Sequence, residues 1–175
     1  MTEIPEPVGA RSIRPATGSP EAVPELDSPE AVVRALYDVL SGPAESERER
    51  DWARLRSLCL PEARFLIARW PDPEGDPIEH LREWDVEGFI RDARRFYHSD
   101  GFWEREVWGR TDRFGNVAHR FSSYESRVGS EDSDPVGRGV NSFQLVRFGP
   151  RWWIVSVAWD VETPDQAIPR EYLEG

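Results

Sequence analysis

Three polar side chains in the C-terminal half of the chain combine useful chemistry with positions on candidate strands. Asp160 ends the apolar stretch 151–160, where neighbouring tryptophans disfavour a charged carboxylate and suit it to act as a general acid or base near neutral pH. Asn141 and Tyr124 lie on two earlier candidate strands and can donate hydrogen bonds to a carbonyl or a developing oxyanion. The alternative is structural, with Asp160 as an exposed carboxylate at a strand end and the other two as partners of buried backbone groups.

The other ionisable side chains favour structural roles. His119 and Glu125 lie about 20 Å apart along one strand at ~3.3 Å per residue, which is too far for a direct acid/base pair. A hydrogen-bonded structural histidine is therefore favoured for His119. Glu104 and Glu106 alternate with Arg105, which favours a solvated or salt-bridged strand edge over paired catalysis.

The charge balance excludes several classes of partner. The 175-residue chain contains 22 basic residues, all of them arginine, against 33 acidic residues, and its net charge is -11. Such a chain repels phosphate backbones and anionic membranes, so neither nucleic acid nor membrane is an expected partner. Cys59 is the single cysteine and no two histidines stand at metal-ligand spacing with a carboxylate, so we expect no metal and no cofactor. No apolar run approaches the length of a membrane span, which predicts a soluble, cytoplasmic protein.

The elements that position these side chains begin with three predicted helices. Residues 1–27 are rich in Pro, Glu, Ala, Ser and Gly and predict a disordered tail, which leaves residues 28–175 as one domain. The first helix starts at the cap Ser28 and Pro29, the second carries Trp52 and ends at Pro61, and the third follows the cap Asp85. Between the last two helices, residues 62–69 predict a short strand and residues 71–77 a loop.

The rest of the chain predicts strands. Residues 102–112, 116–128, 138–148 and 151–161 are four candidates separated by turn sequences. The last of them is apolar on both faces, so the sheet must be covered on both sides. Helices first and an antiparallel meander afterwards predict an α+β fold with the helices on one sheet face.

Several segments, taken in order, resemble a known family. They are LYDVLSGP at the end of the first helix, DWARLRSLCLPEARF, GFWERE, RFGNVAHRFSSYESR, RGVNSFQLV and RWWIVSVAWD. Over residues 28–173 the chain resembles bacterial nuclear transport factor 2-like proteins of unassigned function, also called SnoaL-like or cystatin-like. The resemblance implies three N-terminal helices packed on a strongly curved, mainly antiparallel sheet that forms a cone. Relatives include ketosteroid isomerase, limonene epoxide hydrolase and scytalone dehydratase as well as non-catalytic modules, so the fold alone does not choose a function.

The resemblance also implies which side chains point into the cone. In this family the Trp and Ile of a W-x-I pattern in the last strand point toward the helices, and alternation extends that row. The row is then Trp152, Ile154, Ser156, Ala158 and Asp160. With the neighbouring elements, the expected pocket residues are Trp52, Phe89, Trp103, His119, Phe121, Phe143, Trp152, Ile154 and Ser156.

The register of residues 116–128 leaves two alternatives. If the alternation carries over from the neighbouring strand, His119 and Phe121 face the cone. A one-residue slip turns Arg120, Ser122 and Tyr124 inward instead, because successive side chains point to opposite faces.

The opposite row of the last strand predicts an interface. An exposed apolar patch of this size is unusual for a monomer, so we expect a homodimer formed through the outer sheet face. The expected interface residues are Trp153, Val155, Val157, Trp159 and Gln144. The competing explanation is a C-terminal segment that folds back over this face, with Ile168 and Tyr172 as its anchors.

Two functional hypotheses follow. The first is a homodimeric nuclear transport factor 2-like domain whose conical, largely apolar pocket binds a small hydrophobic molecule. The alternative is a cofactor-independent enzyme of the isomerase, dehydratase or hydrolase type, with Asp160 as the general base in the cone and Asn141 or Tyr124 as its electrophilic partner.

Overall fold

The computed structural model describes Ile13, residues 26–68 and residues 81–174. The predicted loop 71–77 and most of the predicted tail 1–27 lie outside the described residues. Leu26 packs in the core with 1% of its surface exposed, so packing begins just before the predicted domain boundary at residue 28.

The first and third of the three helices begin directly after their predicted caps, and the second ends at Leu58, before its predicted end at Pro61. Helix α1 spans Pro29–Leu40, α2 spans Trp52–Leu58 and α3 spans Val86–Phe96. The predicted caps form, since Ser28 Oγ accepts a hydrogen bond from the amide of Ala31 at 3.2 Å and Asp85 Oδ1 accepts one from the amide of Gly88 at 2.7 Å. These bonds satisfy amide donors that a helix N-terminus leaves without an intrahelical partner.

Six strands form one sheet. They are β1 (Cys59–Ile67), β2 (Arg82–Asp85), β3 (Phe102–Phe114), β4 (Val117–Val128), β5 (Gly137–Phe148) and β6 (Arg151–Val161). The order across the sheet is β2-β1-β6-β5-β4-β3, with β1 parallel to β6 and every other neighbouring pair antiparallel. The predicted α+β fold, with three helices and a mainly antiparallel curved sheet, is therefore confirmed. Strand β2 has no counterpart in the prediction.

The helices pack on one face of the sheet and enclose the hydrophobic core there. Its most deeply buried side chains come from α1, α2, β1, β5 and β6, and include Val32, Leu55, Phe65, Phe143, Trp152 and Ile154. We call the sheet face that carries this core the inner face, and the opposite one the outer face.

One extra residue in β6 changes the alternation of its side chains. Leu145 of β5 pairs with Ile154, but the next pair joins Gln144 to Ser156. Val155 is therefore the extra residue of a β-bulge, and the strand resumes its alternation one residue out of phase.

The bulge corrects the predicted faces of β6. Trp152 and Ile154 are buried in the inner core, as predicted. Beyond the bulge, Val157 and Trp159 also face inward, so their predicted place on the outer interface is wrong. The residues that alternate with them face outward, against prediction: Ser156, Ala158 and Asp160.

Strand β4 adopts the second of its two alternative registers. Arg120, Ser122 and Tyr124 face the helices. His119 and Phe121 therefore lie on the outer face, where the two ring centroids are 5.9 Å apart. The predicted inward orientation of these two side chains is wrong.

The C-terminal segment covers part of the outer face. Ile168 is buried against the sheet, and the ring centroid of Tyr172 lies 5.3 Å from that of Trp108 and 5.1 Å from that of Phe121. At this end of the outer face, the sheet is therefore covered by the C-terminal segment of the same chain, which was the alternative to a homodimer. The homodimer stays a prediction.

Trp153 is also covered from within the chain. The guanidinium carbon of Arg151 lies 3.7 Å from the centroid of its ring, and only 3% of Trp153 is exposed. Its outward direction agrees with the prediction, but little of its surface is left for a partner.

No helix within residues 26–68 and 81–174 has the length and apolar character needed to cross a membrane. In the same residues, no three His, Cys, Asp or Glu side chains are grouped so that they could hold a metal ion.

Candidate functional site

A cavity of about 440 Å³ lies between the helices and the inner face of the sheet. This volume is within the usual range for small-molecule sites, which is ~300–1,000 Å³. Helices α1 and α3 and all six strands contribute to its lining, which is mostly aliphatic and aromatic. The polar side chains that line it are Tyr37, Trp84, Asp92, Tyr97, Glu104, Tyr124, Ser126 and Asn141.

Glu104 is the carboxyl group that β3 carries into this cavity. Its strand position is fixed by Ser41, just after α1, whose Oγ accepts a hydrogen bond from the Glu104 amide at 3.0 Å and donates one to the Glu104 carbonyl at 3.1 Å. Phe102 lines the cavity two residues earlier, in agreement with the alternation of a strand. For Glu104 the predicted solvated or salt-bridged edge is therefore wrong, whereas Glu106 does form a salt bridge, with Arg120.

The environment of Glu104 changes its acidity. Burial raises the pKa of its carboxyl from 4.5 to about 7, because the low-polarity surroundings disfavour the charged form. Asn141 Nδ2 donates a hydrogen bond to Glu104 Oε1 at 3.2 Å, which lowers the pKa and opposes part of this effect. Part of the Glu104 side chain is exposed, but Glu104 lines the cavity. The carboxyl group is therefore less well solvated than one on the protein surface.

A directed chain of hydrogen bonds fixes the groups behind Glu104. Ser122 Oγ donates to Glu106 Oε2 at 2.6 Å, so its oxygen accepts the hydroxyl proton of Tyr37 at 2.7 Å. The oxygen of Tyr37 in turn accepts from Asn141 Nδ2 at 3.0 Å. The Asn141 amide therefore donates to both Tyr37 and Glu104, and its orientation is determined by two acceptors.

An ion pair anchors the far end of this chain. The guanidinium of Arg120, which is buried, donates from Nε to Glu106 Oε2 at 2.8 Å and from Nη1 to Thr111 Oγ1 at 2.8 Å. It also lies 3.4 Å from a carboxylate oxygen of Glu30 at the start of α1. Arg120 thus neutralises Glu106 and leaves Glu104 without an arginine partner among the groups that shift its pKa.

Two tyrosines line the cavity beside Glu104. Burial, and then the negative charge of Glu104, raise the pKa of Tyr97 and of Tyr124 far above the usual value. Both hydroxyls therefore stay protonated and are able to donate hydrogen bonds to an oxygen of a bound molecule.

Gly139 makes room for the second of these tyrosines. A Cβ at Gly139 would lie 2.5 Å from Tyr124 Oη and 2.4 Å from the carbonyl oxygen of Asp160. Only glycine allows Tyr124 to lie across β5 and reach the cavity at this point.

Comparison with solved structures identifies the architecture. A protein of unknown function with a cystatin-like fold from Nostoc punctiforme superimposes with a TM-score of 0.54 at 9% sequence identity, over 77% of this chain and 89% of the other. The beta subunit of benzoate 1,2-dioxygenase from Burkholderia mallei gives a TM-score of 0.55 at 12% identity, over 82% and 93% of the two chains. A candidate ketosteroid isomerase from Parabacteroides distasonis gives a TM-score of 0.50 at 12% identity, over 80% and 97%.

The chain has the nuclear transport factor 2-like fold. At these levels of identity the likeness concerns the fold alone. No protein-family model matches the sequence, and no curated protein is significantly similar to it.

Within the nuclear transport factor 2-like fold, three of the predicted catalytic and pocket residues line the cavity. They are Asn141 and Tyr124, predicted as electrophilic partners, and Phe89. Four other predicted pocket residues are buried in the adjoining core and do not line the cavity: Trp52, Phe143, Trp152 and Ile154.

Asp160, the predicted general base, lies outside the cone. Its Oδ1 accepts a hydrogen bond from the amide of Val161 at 2.8 Å and its Oδ2 accepts one from Gln166 Nε2 at 3.1 Å. The bulge at Val155 is the reason, because it turns Asp160 to the outer face. Asp160 cannot act on a molecule bound in the inner cavity.

Four further predicted pocket residues face away from the cavity for similar reasons. Ser156 lies just beyond the bulge, and His119 and Phe121 follow the register of β4. His119 Nε2 is within 3.0 Å of Ser142 Oγ, which supports the structural role favoured from the sequence. Trp103 alternates with the inward-facing Phe102 and Glu104.

Sequence reasoning missed three residues of the site: Glu104, Tyr37 and Tyr97. The available signal for Glu104 was its alternation with the aromatic Phe102, which places both side chains on one face. Tyr37 and Tyr97 lie on the apolar faces of the first and third predicted helices, a position that also fits an ordinary core tyrosine.

Proposed function

We propose that this nuclear transport factor 2-like domain binds a small, mostly apolar molecule in the inner cavity and transfers a proton through Glu104, as a cofactor-independent isomerase or dehydratase does. The observation that carries this proposal is the Glu104 carboxyl, whose pKa is raised to about 7 inside an apolar cavity. A carboxyl with a pKa near neutrality exists in both forms at physiological pH, and is thereby suited to accept and return a proton.

The groups around Glu104 supply the rest of such a reaction. The carboxylate takes a proton from a carbon next to a carbonyl, and the electron pair of the C–H bond moves toward the carbonyl oxygen to form an enolate. The protonated hydroxyls of Tyr97 and Tyr124 donate hydrogen bonds to that oxygen. Where a carbon–carbon double bond adjoins the enolate, the intermediate is a dienolate. Glu104 then returns its proton to the far carbon of that dienolate, the double bond shifts, and the product is an isomer with no co-reactant consumed.

Hydrogen exchange tests this proposal directly. The full chain is incubated in D2O with a panel of small cyclic and aryl ketones, and deuterium uptake at carbon is followed by mass spectrometry. We expect exchange with at least one ketone, with a rate that rises with pH and levels off above pH 7 as Glu104 ionises. Glu104→Gln should lower the rate at least about 100-fold, the usual contribution of a general acid or base.

The control is a glutamate that is far from the cavity. Glu131 is exposed in the β4–β5 loop, so Glu131→Gln removes one negative charge without touching the site and should leave the rate unchanged. Equal exchange in the wild-type chain and in Glu104→Gln would refute the role of Glu104.

Binding without catalysis is the second candidate function. It is favoured by the largely aliphatic and aromatic lining, which suits a hydrophobic molecule whatever Glu104 does. In this case, saturable quenching of tryptophan fluorescence by apolar ligands would occur while no ketone of the panel exchanges deuterium.

We also propose a homodimer that uses the uncovered end of the outer face. Cross-strand pairing brings together Phe114, Val117 and Val146, and Phe148 follows on the same face. Phe114 is 91% exposed, Val117 56% and Phe148 48%, an unusual set of neighbours for the surface of a monomer. We call these four residues the hairpin-end strip. Of the interface predicted from the sequence, Gln144 is exposed on the same face.

A further inference from the structure

The charged side chains of the inner cavity are all of one sign. Within the described residues, the lining contains two charged side chains, Glu104 and Asp92, and both are acidic. The chain has 22 arginines and none of the described ones lines this cavity. Asp92 accepts a hydrogen bond from Trp84 Nε1 at 2.7 Å, and its other carboxylate oxygen lies 3.9 Å from the exposed guanidinium of Arg95, which does not line the cavity.

Aromatic side chains make up much of the remaining lining. Trp84 and Trp159 are stacked with their centroids 6.0 Å apart, and Phe89 meets Trp159 edge to face at 6.4 Å. Nine of the lining residues are aromatic: Tyr37, Phe65, Trp84, Phe89, Phe96, Tyr97, Phe102, Tyr124 and Trp159.

We propose that the molecule bound in this cavity is an organic cation, an ammonium group on an apolar skeleton, held among the aromatic rings by Glu104 and Asp92. This inference rests on the proposed use of the cavity as a ligand site and names the class of ligand. A cation gains from the carboxylates and from the negative faces of aromatic rings, best of all those of tryptophan. An anionic ligand would find two like charges and no basic partner among the described lining residues.

The protein itself places a cation against one ring of this set. Arg50 does not line the cavity, and its guanidinium carbon lies 4.4 Å from the ring centroid of Tyr97. Arg50 is held there from the other side by hydrogen bonds to the carbonyls of Leu40 and Gly42. Phe102 stacks on the same ring with the two centroids 4.7 Å apart, so Tyr97 has no open face for a ligand. The contact shows that a cation is stable against an aromatic ring beside this cavity, and the rings left for an ammonium ligand are the other aromatic side chains of the lining.

Ligand charge and Glu104 ionisation are coupled. Four neighbouring parts of the chain present an uncharged polar group to Glu104: Tyr37 from α1, Tyr97 at the C-terminal end of α3, Tyr124 from β4 and Asn141 from β5. The charged groups on the neighbouring elements are Glu106, which is paired to Arg120, and Arg50, which lies behind Tyr97. They also include Asp92 on α3, which lies 3.9 Å from Arg95, and Asp160, which acts on Tyr124 from the outer side. A bound cation favours the carboxylate form of Glu104, so a cation binds more tightly as Glu104 ionises.

Matched probes that differ only in charge test the proposal. The panel consists of phenylalkyl-trimethylammonium ions of increasing chain length, their neutral carbon isosteres, in which a tert-butyl group replaces the ammonium, and phenylalkyl carboxylates. Binding to the full chain is measured by tryptophan fluorescence at pH 5.5 and pH 8.5. We expect at least one ammonium ion to bind about tenfold more tightly than its isostere at pH 8.5, to lose most of this preference at pH 5.5, and to bind better than any carboxylate.

Variants assign the effect to the cavity. Glu104→Gln should remove the pH dependence and lower ammonium affinity about tenfold, while binding of the neutral isostere stays the same. Glu131→Gln makes the same charge change at an exposed loop and should alter neither. If every ammonium ion binds no better than its isostere at pH 8.5, or if none binds, the proposal is overturned.

The outcome is separable from the proposed proton transfer. If Glu104 exchanges deuterium into neutral ketones but the protein shows no preference for ammonium ions, the proposed cationic ligand is refuted and the proposed proton transfer is retained. A preference for ammonium ions that depends on Glu104, with no exchange on any ketone, would do the reverse.

Discussion

The pairing of the strands sets the surroundings of two carboxyl groups, because it turns Glu104 into the inner cavity and Asp160 to the outer face. Asp160 follows a tryptophan, which suggests an apolar surrounding, yet it faces outward and bonds to Gln166. Glu104 stands between Trp103 and Arg105, which suggests a surface strand, yet it faces inward. On a strand, the residues next to a given residue point to the opposite face of the sheet, so their types say little about the surroundings of its side chain. Those surroundings depend on how the strands pair.

The raised pKa of Glu104 predicts a cost in stability that depends on pH. The folded state holds this proton more tightly than the unfolded chain does, so the free energy of unfolding falls as pH rises from 4.5 to about 7 and is level above that. Glu104→Gln removes the ionisation but keeps an oxygen that accepts from Asn141. We therefore expect Glu104→Gln to be more stable than wild type at pH 8.5, by about 3 kcal/mol, and nearly equal to it at pH 4.5.

Urea denaturation at the two pH values measures this difference. Glu131→Gln serves again as control, because an exposed carboxylate has similar surroundings in both states. A variant at Glu104 that is equally or less stable than wild type at pH 8.5 would contradict the raised pKa.

At the scale of elements, local signals predict the helices well and the sheet only in part. Ser28 and Asp85 cap their helices by accepting hydrogen bonds from amides only three residues further along the chain. The local sequence is therefore sufficient to locate the starts of α1 and α3. The bulge at Val155 leaves no such signal. Trp152 to Val155 are all apolar, so a pattern of alternating polarity does not show that one residue has been inserted. The predicted faces of β6 are consequently right before the bulge and wrong after it.

Two single-residue deletions in β6 test this account of the strand. Deleting Val155 removes the extra residue and leaves Ile154, Val157 and Trp159 facing inward, so we expect a cooperatively folded protein. Deleting Ala158, beyond the bulge, would turn Trp159 outward and Asp160 inward. We expect this second deletion to cost at least ~1.5–3 kcal/mol, the burial of one large side chain.

Urea midpoints of the two deletion variants, measured side by side, decide the point. Equal loss of stability in both would show that the phase of β6 is not set by the extra residue at Val155.

At the scale of the whole molecule, the two faces of the sheet are covered in different ways. The inner face carries the helices and the cavity, while the outer face is covered at one end by the C-terminal segment through Ile168 and Tyr172. The sequence alone shows that both faces of a sheet must be covered when one of its strands is apolar on both sides. It does not show how much of the outer face the C-terminal segment covers, because Ile168 and Tyr172 are the only anchoring side chains that can be recognised there. The hairpin-end strip is an apolar part of the outer face that stays exposed.

The proposed homodimer therefore predicts an effect of charge at the hairpin-end strip. Light scattering at micromolar concentration should give a mass near twice the 20.1 kDa of one chain. Val117→Glu places a carboxylate in the middle of the strip and should yield a monomer, because burial of an unpaired charge in an apolar contact is strongly unfavourable. Val136→Glu makes the same change at an exposed loop position, 65% exposed, and should leave the dimer intact. A wild-type mass near that of one chain would refute the dimer, and a monomer for both variants would refute the assignment of the interface to the strip.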